Sequence, residues 1–161
     1  MVEADVIIDQ LRAFNLLGYA DTSVKYESNG KNGNILTRTV DNWKYEDEFY
    51  GGEPYSGNET LWYQGTDVFR CVYWGKVVSG VKFTDIYAFL RKALKEGPTG
   101  TCVHRGPEKF IERDLAYTNT CTGTIDEFSQ IEKIFMKDKE VYVAYFIGGR
   151  VNVQKEFNAL N

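Results

Sequence analysis

Residues 49–74 read FYGGEPYSGNETLWYQGTDVFRCVYW, and the alternation within them decides the architecture. From Glu59 to Tyr63 and again from Val68 to Trp74, β-branched and aromatic residues predominate, with Gln64, Gly65, Thr66 and Asp67 between the two runs. That pattern predicts two antiparallel strands joined by a four-residue connection. On the second strand Val68, Arg70, Val72 and Trp74 share one face, and Phe69, Cys71 and Tyr73 share the other. Both faces are largely apolar, so the strand is expected to be central and covered on both sides, or to line a cavity. Just upstream, Gly51 and Gly52 open backbone conformations closed to other residues. Pro54 pushes Glu53 toward extended geometry, which makes the turn a shaped one.

A second hairpin is read at Ile131–Met136 and Val141–Ile147, turning through Lys137 to Glu140. Shifted by 73 positions, ETLWYQGTDVFRCVYWG lies over EKIFMKDKEVYVAYFIG. Glu59 meets Glu132, Leu61 meets Ile134, Phe69 meets Tyr142 and Gly75 meets Gly148. Each hairpin follows extended segments and, before those, a helix. Val6, Ile7, Leu11, Phe14 and Leu17 mark an amphipathic helix within Val2–Leu17. Ile86, Phe89, Leu90, Ala93 and Leu94 mark another, capped at Thr84 and Asp85. Thr101–His104 reads as a short strand, and Phe110–Thr120 as an extended run.

The expected fold is therefore a single α+β domain over 1–161, with pseudo-repeats 1–78 and 79–151. Its antiparallel sheet comes from two related hairpin units, with both helices on one face and a cleft where the halves meet. The plainer alternative is that two aromatic hairpins of equal length resemble each other without common origin.

Among 161 residues, 15% are aromatic and 26% charged, with net charge −4, which describes a folded globule without a basic footprint. No direct nucleic-acid partner is expected. No apolar run reaches the roughly 18 residues of a bilayer span, and no secretory signal is visible, so a cytoplasmic protein without membrane contact is expected. Cys71, Cys102 and Cys121 are a sparse, odd set that reads as reduced buried thiols.

The chemistry concentrates around Glu53, which lies among Tyr50, Gly51, Gly52 and Tyr55. An acid among rings holds a cation or a hydroxyl-rich ligand, or else it caps its own loop by accepting backbone N–H bonds. Glu59, Trp62 and Trp74 extend this candidate ligand site. Arg105, before Gly106 and Pro107, offers either a clamp for an anion or a partner for Glu108 or Asp114.

Small-molecule binding in an acidic, aromatic-lined cleft is the leading expectation. Two other classes stand beside it. Glu53 and Glu59, with Glu112 and Asp114, are candidates for the carboxylate pair of a hydrolase. An exposed aromatic patch would instead serve a partner or a second copy, giving a homodimer. His104 with the three cysteines matches no recurring zinc spacing, so neither metal nor other cofactor is expected.

Phe49-Tyr50-Gly51-Gly52-Glu53-Pro54 with Gly57 and Glu59, Val72-Tyr73-Trp74-Gly75, His104-Arg105-Gly106-Pro107 and Gly148-Gly149-Arg150 together resemble a mostly bacterial family known only as a domain of unknown function. The resemblance implies no activity. It implies a sensing or binding module, because similar domains stand alone or follow helix-turn-helix regulators. One departure is upstream, where Phe14 to Ala20 lacks the basic residue that relatives carry before the Tyr-Ala pair.

Overall fold

A computed structural model describes residues 2–151, apart from 22, 79, 101 and 103. Helix α1 spans Ala4–Leu16. It is followed by strands β1 (Glu27–Ser28), β2 (Gly33–Val40), β3 (Trp43–Gly51), β4 (Tyr55–Tyr63) and β5 (Thr66–Val77). Helix α2 (Phe83–Lys95) then leads into β6 (Lys109–Glu112), β7 (Leu115–Thr124), β8 (Glu127–Met136) and β9 (Lys139–Arg150). Every neighbouring pair is antiparallel, in the order β1-β2-β3-β4-β5-β9-β8-β7-β6. Two meanders thus meet along one seam, β5 against β9. No helix among the described residues is long and apolar enough to cross a membrane.

Alternation sets which side chains meet the helices. Along β3, Trp43, Tyr45 and Asp47 are buried while Lys44 lies in solvent, and β8 repeats this with Phe128, Gln130, Glu132 and Ile134 inward. Both helices cover that same face. Phe14 of α1 stacks on Tyr45 at 5.5 Å, and Phe89 of α2 leans on Phe110 at 5.5 Å. The expected α+β arrangement, with two helices on one side of an antiparallel sheet, is the one observed.

Several local expectations are corrected. The connections in both long hairpins are two residues long: Gln64 and Gly65 have φ of 51° and 78°, Lys137 and Asp138 φ of 48° and 65°. Two successive left-handed residues make the tight turn that matches strand twist, so the strands run further than a four-residue loop allows. The extended run at 110–120 is itself broken by a turn at Arg113, φ 56°, into β6 and β7. Lys82, which makes no side-chain capping hydrogen bond, occupies the start of α2 where Thr84 was expected to cap it. The strand expected at Thr101–His104 falls partly on residues outside those described, and Cys102 and His104 are not in a strand.

Of the two alternatives expected for β5, covering over both faces is absent, while Tyr73 on its inner face lines a cavity. Val72 and Trp74 are 54% and 39% exposed, because helices pack on only one side of the sheet. The open side carries Trp74 stacked on Tyr145, with Ile147 beside them.

The seam has a simple internal order. Tyr73 faces Phe146, an offset of 73 positions, and the pairs Phe69–Arg150 and Val77–Tyr142 exchange places under that offset. The bulges at Leu61/Trp62 and Ile134/Phe135 are related in the same way. Close approach of the two meanders requires Gly148, where an added Cβ would lie 2.5 Å from the Arg70 carbonyl oxygen and 2.8 Å from the Cys71 Cα. Backbone cannot step aside as a flexible side chain can. Gly148→Ala is therefore expected to cost roughly 1–3 kcal/mol, read as a fall of several degrees in the unfolding midpoint. An unchanged midpoint would show that the seam opens freely.

Candidate functional site

Beneath the helices the sheet buries an unusual set of charged groups. Glu59 on β4 and Glu132 on β8 are 1% and 0% exposed, and His104, in the segment between α2 and β6, is 0% exposed. Arg105 adopts φ 66°, a left-handed conformation that swings its guanidinium inward. Its Nε donates to Glu132 Oε1 at 2.9 Å, and its Nη1 lies 3.9 Å from Glu59 Oε1.

Glu132 further accepts from the hydroxyl of Tyr117 at 3.0 Å and from Gln130 Nε2 at 3.3 Å. Glu59 accepts from His104 Nε2 at 2.6 Å and from the Tyr45 hydroxyl. Burial pushes the Glu59 carboxyl upward, yet His104 and Arg105 outweigh it and hold the group below its ordinary range. Each buried acid thus has several donors, which is what makes an ionised group tolerable in a dry interior. Gly106 is needed here: an added Cβ would fall 2.4 Å from the Tyr117 hydroxyl.

Asp47 behaves oppositely. It lies across from Glu59 in the β3–β4 register, and Tyr73 donates its hydroxyl to Oδ1. Burial and the Glu59 charge together raise its carboxyl to about 7. Two acids on adjacent strands are therefore driven apart, one toward the neutral form near neutrality and one held ionised.

Above this floor opens a cavity of about 300 Å³, at the seam and under α2. Phe83, Tyr87 and Arg91 enter it from α2 at four-residue spacing, so one helical stripe supplies all three. Tyr19 and Tyr26 close the side next to α1. The sheet contributes Asp47, Phe49, Tyr55, Tyr73 and Phe146, with Gly51 and Gly52 at the turn and Arg105 at the base. Arg91 lies over the Tyr19 ring at 4.6 Å, and Arg105 over Phe146 at 4.7 Å.

Of the residues singled out from the sequence, Gly51, Gly52, Tyr55 and Arg105 come together here. Glu59 lies directly behind, in a small recess shared with Asp47, Tyr19 and Arg105. The others are elsewhere. Tyr50 has the opposite parity from Phe49 and bonds to Glu48 and Asn29 on the far side of the sheet. Trp62 is likewise outside, under Lys44 at 4.9 Å, and Trp74 belongs to the open face.

Glu53 does not line the cavity. Its carboxylate accepts the Val77 N–H at 2.6 Å and the Tyr87 hydroxyl, so it fastens the turn to β5 and α2 in the manner of a loop cap. Arg105 pairs with Glu132 and approaches Glu59, instead of Glu108 or Asp114, because its backbone turns inward. Glu112 and Asp114 pair outward with Lys92 at 2.7 Å and Lys137 at 3.5 Å.

The reduced-thiol expectation holds only for Cys71, a buried free thiol. Cys102 and Cys121 form a disulfide that ties the segment bearing His104 and Arg105 to β7. Their separation of 19 residues hides the proximity that folding against β7 creates. Among the described residues no group of three or more His, Cys, Asp or Glu side chains is arranged to hold a metal ion.

Asp47, Glu132, Arg91, Tyr19 and Tyr26 are not among the site candidates that the sequence offers, where Glu132 enters only as the counterpart of Glu59. A signal did exist for the first two: an acid at an inward position on a strand whose same-parity residues include rings or apolar groups, Tyr45 and Phe49 beside Asp47 on β3, and Phe128 and Ile134 on β8 with Glu132.

An antiparallel sheet with a buried ion network under a ring-lined cavity is the architecture of a compact α+β module. The chain belongs to the family described as Domain of unknown function (DUF5680), whose model matches residues 47–151. Every motif quoted for the resemblance lies within that span, while Phe14 to Ala20 lies outside it. No curated protein and no solved structure matches the chain significantly.

Removing one side of the buried pair should be far worse than replacing both. Glu132→Ala leaves Arg105 without its principal partner and is expected to cost about 3–5 kcal/mol in denaturant unfolding. The double variant Arg105→Met/Glu132→Met should recover most of that loss. A single-variant cost under about 1 kcal/mol would mean that the pair is hydrated in solution.

Proposed function

We propose that this domain binds a small molecule in the cavity between α2 and the sheet. The observation that carries the reading is the lining: eight aromatic side chains and two guanidinium groups surround a closed-floored space whose buried charges are neutralised from within. Ring-lined concavities with few convergent polar groups are where proteins hold small ligands. We also read the two meanders as copies of one unit, a reading supported by the shared positions of their bulges and tight turns.

A hydrolytic reading has one point in its favour, the opposed acidities of Asp47 and Glu59. Glu59, however, is enclosed by His104, Tyr45 and Arg105, so among the described residues Asp47 is the one carboxylate that lines the cavity. A pair of carboxylates that straddles a substrate is not formed here, and binding is the better-supported function.

Gly52 provides a clean test because it sits at the cavity wall with open space around it: an added Cβ meets nothing within 4 Å. Ring-bearing fragments screened by ligand-observed NMR, at concentrations on the order of millimolar, should compete for one site. Gly52→Phe should abolish that binding and leave the unfolding midpoint nearly unchanged. Absence of any binder, or binding that survives the added ring, would refute the assignment.

A further inference from the structure

The polar groups along the cavity divide into those already engaged and those that are not. Tyr55 bonds Tyr142 at 2.7 Å, Tyr73 bonds Asp47, and Tyr87 bonds Glu53. Arg105 is committed to Glu132 and Glu59. Three groups are left over. The Arg91 guanidinium rests on the Tyr19 ring and makes no ion pair among the described residues. The hydroxyls of Tyr19 and Tyr26 have no hydrogen-bond partner there either. All three line the same cavity, and the charge of Arg91 is felt at both hydroxyls.

Resting on the binding reading above, we propose that the natural ligand is a compact planar monoanion of the aryl carboxylate class. Its carboxylate would be held by Arg91 with the Tyr19 and Tyr26 hydroxyls, and its ring would lie between the aromatic walls.

Five features select this chemistry. A planar guanidinium matches a carboxylate with two parallel hydrogen bonds, and such charge-assisted bonds are the strong ones in a dry site. Stacking on Tyr19 holds Arg91 in position before the ligand arrives, so little side-chain freedom is lost on binding. A cation, which Glu53 was expected to attract, would meet an unpaired guanidinium and, among the described residues lining the cavity, no carboxylate other than Asp47, which Tyr73 already engages. A dianion would bring a second negative charge into a cavity that Asp47 also lines. At about 300 Å³ the space is at the small end of ligand pockets, which fits one ring with a short acidic arm.

Benzoate, benzamide and benzamidine share one shape and differ in charge, so they separate the possibilities. Each is titrated into the intact protein while the aromatic NMR signals of the cavity tyrosines are followed. The same is done with Arg91→Met, which keeps the aliphatic stem without the charge. Benzoate should bind at least about tenfold more tightly than benzamidine, and Arg91→Met should weaken benzoate by about tenfold or more. Benzamide should bind both proteins alike.

If benzamidine binds as well as benzoate, or benzoate ignores the variant, the anion assignment fails while the cavity reading stands. If none of the three moves the tyrosine signals, both fall together. Arg91 makes no ion pair among the described residues, so an unfolding midpoint close to that of the parent is expected for the variant. Arg91→Lys should restore part of the benzoate affinity, which a purely structural role would not produce.

Discussion

A guanidinium held between two buried carboxylates is the constraint around which this molecule is arranged. Arg105 bonds Glu132 at 2.9 Å and approaches Glu59 at 3.9 Å, and each of those acids belongs to a different meander. Carboxylates so deeply buried are intolerable unless several donors surround them. The donors come from everywhere in the fold: Tyr45 on β3, Tyr117 on β7, Gln130 on β8 and His104 before β6. Joining β5 to β9 alone would align two sheets. Satisfying these acids fixes how the helices and the Cys102–Cys121 segment close over them.

The two halves use that constraint unequally. Tyr45 supports Glu59 much as Tyr117 supports Glu132. His104 and Arg105, however, both come from the segment after α2. Asp47 has its counterpart in Asn119, which cannot ionise and donates to the Gly106 carbonyl at 3.0 Å. The second half is therefore electrically settled, and the first retains an acid that changes charge near neutrality. The cavity opens on that side, lined by both Asp47 and Arg91.

Much of the scaffold was legible in the sequence because alternation and helical spacing are local. Apolar residues at three and four apart located both helices, and the aromatic hairpins located β4, β5, β8 and β9 with their common offset. What could not be read was the tertiary choice of face. Period two tells that Tyr73 and Trp74 point apart, but it does not tell which of them the helices cover: Trp62 and Trp74, expected at the site, belong to the open side. Glu53 drew attention for its setting among glycines and rings, and that setting proves to be a staple onto Val77 and Tyr87. The groups that shape the cavity, Arg91, Tyr19 and Tyr26, carry no mark in the sequence because helix packing alone brings them together. Cys102 and Cys121 are another case of contact created only by folding.

The central claim, that a dry network holds Glu59 charged while it makes Asp47 reluctant to ionise, is measured most directly on the carboxyl groups themselves. Side-chain ¹³C NMR of protein labelled at aspartate and glutamate, followed from acid to pH 8 with assignments from Asp47→Asn and Glu59→Gln, resolves each titration. Asp47 should titrate at about 7, and Glu59 should stay ionised to a pH below the usual glutamate range. Two ordinary carboxyl titrations near pH 4 would mean that water reaches both acids, and the buried floor on which the cavity depends would not exist.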